Sequence, residues 1–121
     1  MSIKVDQDAL ADTVARFGSA YLLSTKGVDV KAVAVDVTFS DGALRVPWTK
    51  GSAANLAANP AVTLLFPATE HHGYTLIVDG TGRAADDRIE VTPVSAILHR
   101  PAAHADGPLP PEGCSDDCRP V

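Results

Sequence analysis

The stretch that decides the fold is Leu44 to Phe66, LRVPWTKGSAANLAANPAVTLLF. It begins with a short extended run and ends with a second apolar run of strand character, Ala61 to Phe66. Between them, a polar break precedes a helix-favouring segment, Ala53 to Ala58. Asn59-Pro60 ends this helix, because the residue before a proline is pushed out of the α region. The stretch therefore predicts a strand, a turn, a short helix and another strand.

The rest of the chain predicts a β framework around this stretch. A helix is expected over residues 7–17, with Asp6 as its cap. Further strands are predicted over residues 19–25, 31–39, 74–84 and 89–100. Asp41-Gly42 is the strongest hairpin signal, and Gly80 and Gly82 predict a bulge or bend in a long strand. Six strands, two short helices and mostly tight turns indicate a mainly antiparallel barrel.

Composition excludes several classes of function. A chain of 121 residues is one domain by length, and its net charge of −5 argues against nucleic-acid binding, which needs clustered basic residues. No apolar run reaches the roughly 18 residues of a membrane span. The N-terminal sequence MSIKVDQDAL lacks the pattern of a secretory signal, so we expect a cytoplasmic protein.

The chain divides into a domain over residues 1–100 and an irregular tail over residues 101–121, which holds five of the nine prolines. The tail also carries both cysteines, Cys114 and Cys118. Two cysteines do not make a disulfide scaffold. They are compatible with a disulfide or redox pair, with a metal site assisted by His104 or Asp116, and with free thiols.

The polar break at the centre of the chain is the candidate binding site. Ser52 is expected to cap the following helix, whose N-terminus favours anions. Thr49 adds a hydroxyl, Lys50 a cation, and Gly51 allows close approach of a ligand. Trp48, the single tryptophan, can pack on an aromatic ring. The alternative interpretation is a serine-capped helix that binds nothing, with Lys50 solvated.

The order of these residues resembles the pyridoxamine 5′-phosphate oxidase-like proteins of the flavin-binding split-barrel superfamily. The residues that carry the resemblance are Thr49, Ser52, Asn55-Leu56, Asn59-Pro60 and the following VTLLF. The preceding helix and strands and the later DGTGRA strand match the family in order, so the resemblance covers roughly residues 6–100.

The resemblance implies a six-stranded antiparallel split β-barrel that forms a homodimer. It also implies FMN, or alternatively a deazaflavin, in a cleft between subunits. Carried over to this chain, the cofactor-binding residues are Trp48, Thr49, Lys50 and Ser52. Many relatives place a basic residue directly after the serine, whereas this chain has Ala53. Lys50, or Arg45 on the preceding strand, is expected to supply the missing charge.

The function expected from this resemblance is that of a flavin-dependent oxidoreductase acting on a small molecule. The sequence singles out no catalytic residue, although Asp36, Tyr74 and His99 are candidates. Two alternatives stay open: a non-enzymatic flavin or haem carrier or sensor, and a metal or redox sensor that uses Cys114 and Cys118. His71 and His72 are expected to point to opposite sides of an extended chain, and no metal site is assigned to them.

Overall fold

The structure is a computed structural model that describes residues 2–101. Two helices and eight strands follow one another in this part of the chain. They are β1 Ser2–Lys4, α1 Gln7–Val14, β2 Ala20–Lys26, β3 Asp29–Val35, β4 Thr38–Ser40, β5 Ala43–Pro47, α2 Lys50–Ala58, β6 Ala61–Phe66, β7 Thr75–Ala85 and β8 Arg88–His99.

All the strands pair antiparallel in one sheet, in the order β3-β2-β6-β7-β8-β5-β4, with β1 paired to β8. The sheet curls without closing, so an opening lies between the edge strands β3 and β4. This confirms the predicted mainly β, split-barrel architecture with two helices.

The sheet has eight strands rather than the predicted six. The strand expected over residues 31–39 is interrupted at Asp36 and Val37, because the chain leaves one edge of the sheet there and continues at the other edge. The other addition is β1, which has three residues and no alternating pattern. Its pairing to the end of β8 is a long-range contact that a local pattern does not encode.

The core lies on the concave face of the sheet, where alternate residues of each strand are buried. Helix α1 covers one end of this core with Leu10 and Val14. It ends at Val14 instead of the predicted Phe17, but the ring of Phe17 still packs on Phe66 at a centroid distance of 6.0 Å. The largest fully buried side chains are Phe66, Leu10, Leu22, Leu44, Leu64, Leu76 and Ile89.

Helix α2 crosses from β5 to β6 and lies against the inner face of β2 and β7. Leu56 of α2 is buried and fits over Gly82, where a Cβ atom would lie only 3.1 Å from a Leu56 methyl carbon. The backbone N–H of Gly82 donates to the carbonyl of Pro60 at 2.8 Å. Packing against β7 therefore sets the position of α2 and of the turn before it.

The turns and the bulge lie where their glycines predict them. The β4–β5 hairpin turns at Asp41 and Gly42, with φ angles of 52° and 76°. The register of β7 and β8 shifts between Asp79 and Gly80, which confirms the predicted bulge. A Cβ at Gly80 would lie 2.2 Å from the carbonyl oxygen of Thr92, so glycine is required at this close approach.

Neither of the helices within residues 2–101 has the length and apolar character that crossing a bilayer requires.

Candidate functional site at the start of helix α2

Helix α2 begins three residues earlier than the sequence predicts. Its cap is Thr49, in an extended conformation (φ −132°, ψ 146°), and the carbonyl of Thr49 accepts the N–H of Ala53 at 2.9 Å. The prediction that Ser52 caps this helix is therefore wrong, because Ser52 lies inside the first turn. Glycine is a poor helix former, but α2 accommodates Gly51 in its first turn.

Two hydroxyl oxygens at this helix start are buried and have no hydrogen-bond partner: Oγ1 of Thr49 and Oγ of Ser52. The Ser52 residue is 0% exposed. Neither hydroxyl caps the helix, so the first-turn N–H groups also lack a side-chain acceptor. A buried polar group without a partner costs roughly 1–3 kcal/mol. The start of α2 therefore holds hydrogen-bonding capacity that the described chain does not use.

The electrostatics of this helix start favour an anion. Helix α2 has no acidic residue in its first turn, and Lys50 is exposed there. The side chain of Lys31 on β3 reaches the same turn: a Cβ at Gly51 would lie 2.8 Å from its Cε and 3.1 Å from its Nζ. Two cations thus lie at the positive end of a helix dipole, an arrangement that an anion would stabilise.

Lys31 was not among the predicted site residues. It pairs across the sheet with Ser24, whose hydroxyl accepts a 3.1 Å hydrogen bond from Nδ2 of Asn55 in α2. Lys31 is therefore on the helix side of β3, in phase with the buried Val35. A lysine in the apolar phase of a strand was the signal in the sequence that could have identified it.

Arg45 does not supply the missing charge. Its Nε donates to Glu90 at 2.9 Å, and its Nη1 donates to the carbonyl and hydroxyl oxygens of Ser40. Arg83 and Arg88 contact the same Glu90 carboxylate at 2.7 and 3.4 Å. The hydrogen bond from Arg45, with the charges of the other arginines, holds the pKa of Glu90 below its usual range against the opposing effect of burial. We call these four residues the arginine cluster.

Trp48 lies at the entrance to the candidate site. Its residue is 45% exposed, and its backbone N–H donates to the carbonyl of Asp87 at 3.3 Å in the β7–β8 turn. The indole ring is thus half open to solvent while its backbone is fixed. An exposed aromatic face beside an anion-favouring helix start is suited to a ligand that combines a ring with a phosphate.

The motif residues downstream of the site are structural. Asn55 forms the buried hydrogen bond to Ser24, and Nδ2 of Asn59 donates to Oγ1 of Thr25 at 2.8 Å. The side-chain oxygen of Asn59 also accepts the N–H of Ala61 at 3.2 Å, which turns the chain into β6. The Asn-Leu and Asn-Pro elements therefore fix the second half and the C-terminal end of α2 to the sheet.

The convex face of the sheet carries many apolar side chains on β3, β2, β6, β7 and β8, with Thr63 and Asp79 among them. Side chains there alternate with the buried ones, and Tyr21, Leu65 and Ile77 lie in one row across neighbouring strands. Val30 on the edge strand is 68% exposed. We call this surface the outer apolar face; its members are Tyr21, Leu23, Val30, Ala32, Ala34, Leu65, Ile77 and Ile97.

The histidines do not form a metal site in the described residues. The expectation that His71 and His72 point apart is wrong: their rings stack with centroids 3.8 Å apart, because His72 adopts a left-handed conformation with φ of 63°. His99 lies within 3.0 Å of the Ser2 hydroxyl through its Nδ1. Within residues 2–101, no group of three or more His, Cys, Asp or Glu side chains is arranged to hold a metal. Cys114, Cys118 and His104 lie outside the described residues.

No family model matches the chain. Two curated proteins, Mb0449c of Mycobacterium bovis and MT0457 of Mycobacterium tuberculosis, are each 35% identical to it over 95% of the chain and 93% of their own length. Both carry the description "uncharacterized protein".

Several solved structures share the fold at low sequence identity. A pyridoxamine 5′-phosphate oxidase-like protein of Listeria innocua gives a TM-score of 0.67 at 14% identity, over 76% of this chain and 96% of its own. A FAD-binding protein of Mesorhizobium loti gives 0.64 at 12% identity, over 81% and 96%. A FAD-binding protein of Mycobacterium smegmatis gives 0.61 at 14% identity, over 83% and 100%.

Proposed function

The chain belongs to the family of these two mycobacterial proteins, and from this premise we propose that it binds a flavin-type cofactor and acts as an oxidoreductase on a small molecule. It has the split-barrel fold of the pyridoxamine 5′-phosphate oxidase-like, flavin-binding superfamily. The proposed cofactor is FMN, with a deazaflavin as the alternative. The start of α2 supports this proposal, because two buried hydroxyls lack partners beneath two lysines and no carboxylate lies in the first turn.

The residues present fit the phosphate of such a cofactor. Lys31 and Lys50 would balance its charge, and the first-turn N–H groups would donate to its oxygens. Thr49 and Ser52 would donate their unpartnered hydroxyls, and Trp48 would pack on the ring system. When bound, a flavin supplies hydride transfer at its ring, and the protein supplies binding and orientation.

Lys31 also covers the first turn. Oγ1 of Thr49 and Oγ of Ser52 are shielded from solvent, and the Lys31 side chain lies directly over Gly51. Movement of this flexible side chain toward a bound anion would uncover the turn and keep its charge within reach. Lys31 would then act both as the cover of the empty site and as the cation of the filled one.

The proposal is tested by titrating the purified chain with FMN and with riboflavin, which lacks the phosphate. Flavin fluorescence gives both dissociation constants. We expect FMN to bind at least tenfold tighter than riboflavin, and Lys31→Ala to remove most of this difference. Lys26→Ala, at the exposed end of β2, is the matched control and should leave it unchanged. Equal affinity for the two flavins would show that the start of α2 is not the phosphate site.

A homodimer is the second part of the proposal. The outer apolar face exposes Val30 (68%) and Tyr21 (45%) on neighbouring strands. Contiguous apolar surface of this kind marks an interaction site, and a second copy of the chain would cover it. The expected cleft between subunits would then lie beside this face, where a groove of about 380 Å³ is lined by Leu23, Val30 and Asp79 among others.

The oligomeric state is measured by size-exclusion chromatography with light scattering. Val30→Lys, on the outer apolar face, is expected to shift the chain toward monomer because it places a charge in the contact. Val28→Lys is the matched control, since Val28 is 98% exposed at the tip of the same hairpin. A monomeric wild-type chain, or equal behaviour of the two variants, would rule out this interface.

A non-enzymatic flavin or haem carrier is the alternative function. The sequence singles out no catalytic acid or base, and Glu90, whose pKa is lowered, is engaged by the arginines of the arginine cluster. Flavin-loaded protein bleached by NAD(P)H would support the oxidoreductase; loaded protein that NAD(P)H does not bleach, although dithionite does, would support the carrier.

Two expectations from the sequence stay predictions. One is the cytoplasmic location, and the other is a sensor that works through Cys114 and Cys118. The sensor hypothesis would be ruled out if elemental analysis finds no bound metal and a Cys114→Ser variant responds to oxidants and reductants as the wild type does.

A further inference from the structure

A second cavity lies at the far end of the barrel from the start of α2. It has a volume of about 220 Å³ and lies between the end of α1, the β6–β7 connection and the end of β8. Pro47, just before α2, pairs with Arg88 at the start of β8, whereas Leu98 lines the cavity near the end of that strand. A strand rises about 3.3 Å per residue, so roughly 30 Å separate the two sites. The cavity is therefore separate from the proposed flavin site within one chain.

Two opposite charges line this cavity without pairing. Arg16 lies on one wall and Glu70 on another, and within residues 2–101 neither side chain takes part in an ion pair. The guanidinium of Arg100 lies 4.6 Å from the centre of the Tyr74 ring, which forms part of the wall. The cavity thus offers a cation and an anion together with an aromatic surface.

The backbone fixes both charged walls. Arg16 follows Ala15, the C-cap of α1, and its N–H donates to the carbonyl of Thr13 at 3.1 Å. The N–H of Gly73 donates to the carbonyl of Glu70 at 3.0 Å, and a Cβ at Gly73 would lie 2.9 Å from Cγ of Glu70. Glu70 is therefore held in a tight turn that only glycine at position 73 allows without displacing it.

The remaining walls are partly apolar. Phe17, packed on the core residue Phe66, and Leu98 form their apolar part, and Thr13 and Thr69 complete the lining. The volume is below the roughly 300 Å³ at which pockets for drug-sized ligands begin, so the ligand must be small. A small molecule that satisfies both charges and the apolar surface has to carry a carboxylate, an ammonium group and a hydrocarbon side chain.

We propose that this cavity binds a small zwitterion, an α-amino acid with an apolar side chain. Arg16 pairs with the carboxylate through two parallel N–H···O bonds. Glu70 accepts hydrogen bonds from the ammonium group, and the hydrocarbon side chain packs against Phe17 and Leu98. This site gives the barrel a small-molecule ligand that is independent of any flavin at the other end.

Isothermal titration of the full chain with L-leucine tests the proposal. Saturable binding is expected, at least tenfold tighter than that of acetate or isobutylamine, which each carry one of the two charges. Arg16→Ala and Glu70→Gln should each weaken leucine binding at least tenfold, and Arg16→Lys should restore part of the loss. Lys26→Ala is the matched control, and the FMN affinity should stay unchanged in every variant.

Several outcomes would overturn the proposal. The first is that leucine does not bind to the folded chain. The second is that the Arg16→Lys and Glu70→Gln variants bind leucine as tightly as the wild type does. The third is that acetate binds as tightly as leucine. Circular dichroism of each variant shows that it is folded, and the conservative Arg16→Lys and Glu70→Gln changes keep the test valid if Arg16→Ala does not fold. A change in FMN affinity that parallels leucine affinity would show that the two sites are not independent.

Discussion

Positive charge gathers in two places near the start of α2, and the two differ in what balances it. In the arginine cluster, Glu90 accepts hydrogen bonds from Arg45, Arg83 and Arg88. At the helix start, Lys31 and Lys50 lie at the positive end of the dipole with no acidic residue in the first turn. The first set of charges is used within the fold, whereas the second has no carboxylate in the first turn of α2 to balance it.

The presence or absence of a carboxylate partner distinguishes a basic residue that stabilises the fold from one that is available to bind a ligand. Arg45 holds together β4, β5 and β8 through Ser40 and Glu90, so its removal affects the sheet. Lys31 touches the helix start only through its flexible side chain above Gly51. A basic residue with a carboxylate partner is therefore expected to act on stability, and one beside unpartnered donors is expected to act on ligand affinity. Four substitutions test this contrast.

Lys31→Ala should have the largest effect on flavin affinity. Loss of a charge-assisted contact is worth about 1.5–3 kcal/mol, or about 10- to 100-fold in the dissociation constant for FMN. Riboflavin affinity and thermal stability should change little. Flavin fluorescence titration measures the affinities, and an FMN affinity equal to that of the wild type would place Lys31 with the structural cations.

Ser52→Ala should act in opposite directions on binding and on stability. It removes a buried hydroxyl that has no partner in the free chain, so the free energy of unfolding should stay the same or rise by about 1 kcal/mol. FMN affinity should fall several-fold because the same hydroxyl donates to the phosphate. Urea unfolding without flavin, together with the titration, measures both. Destabilisation of the flavin-free protein would show that the hydroxyl is already satisfied.

Lys50→Ala should have a smaller effect than Lys31→Ala. Both lysines are exposed, so salt and water screen both charges, but the Lys31 side chain lies directly over the first turn at Gly51. The loss for Lys50→Ala is therefore expected to be smaller, about 0.5 kcal/mol of FMN affinity. Titrations of both variants at low ionic strength measure the two losses. A larger loss for Lys50→Ala would reverse their assigned roles.

Arg45→Ala should leave flavin affinity unchanged and lower the melting temperature. The pKa of Glu90 is held below its usual value of 4.5 in the folded chain. Its contribution to stability is therefore complete above that value and is lost as the pH falls through the lower folded pKa. Melting curves at neutral pH and near pH 3 should show a smaller acid loss for Arg45→Ala than for the wild type. An equal acid loss would mean that Arg45 does not set this pKa.

Local patterns predicted much of the fold. The Asp41-Gly42 turn and the bulge at Gly80 depend on backbone conformations that few residues allow, so their residue types reveal them. The strand break at Asp36 occurs because β3 and β4 lie at opposite edges of the sheet. Their positions are set by the pairing of all the strands, which a local pattern does not contain. The stacked His71 and His72 rings depend on one left-handed residue that the alternation rule does not anticipate.

The candidate site was predicted in part. Trp48, Thr49, Lys50 and Ser52 all lie in or next to the first turn of α2, as the strand-turn-helix pattern indicates. The pattern placed the cap at Ser52, whereas the helix begins at Lys50 with Thr49 as its cap, and its packing on β7 through Leu56 and Gly82 is a long-range contact. Lys31 was missed because it reaches the site across the opening of the barrel, a contact between distant parts of the sequence.

The close approach of Lys31 to Gly51 links two distant positions of the sequence. A Cβ at position 51 would lie 2.8 Å from Cε of Lys31, so any larger residue there would make the flexible end of the lysine side chain shift. We therefore expect homologues that keep a lysine at position 31 to keep a glycine at position 51 more often than homologues without that lysine. An alignment in which the two positions vary independently would contradict this expectation.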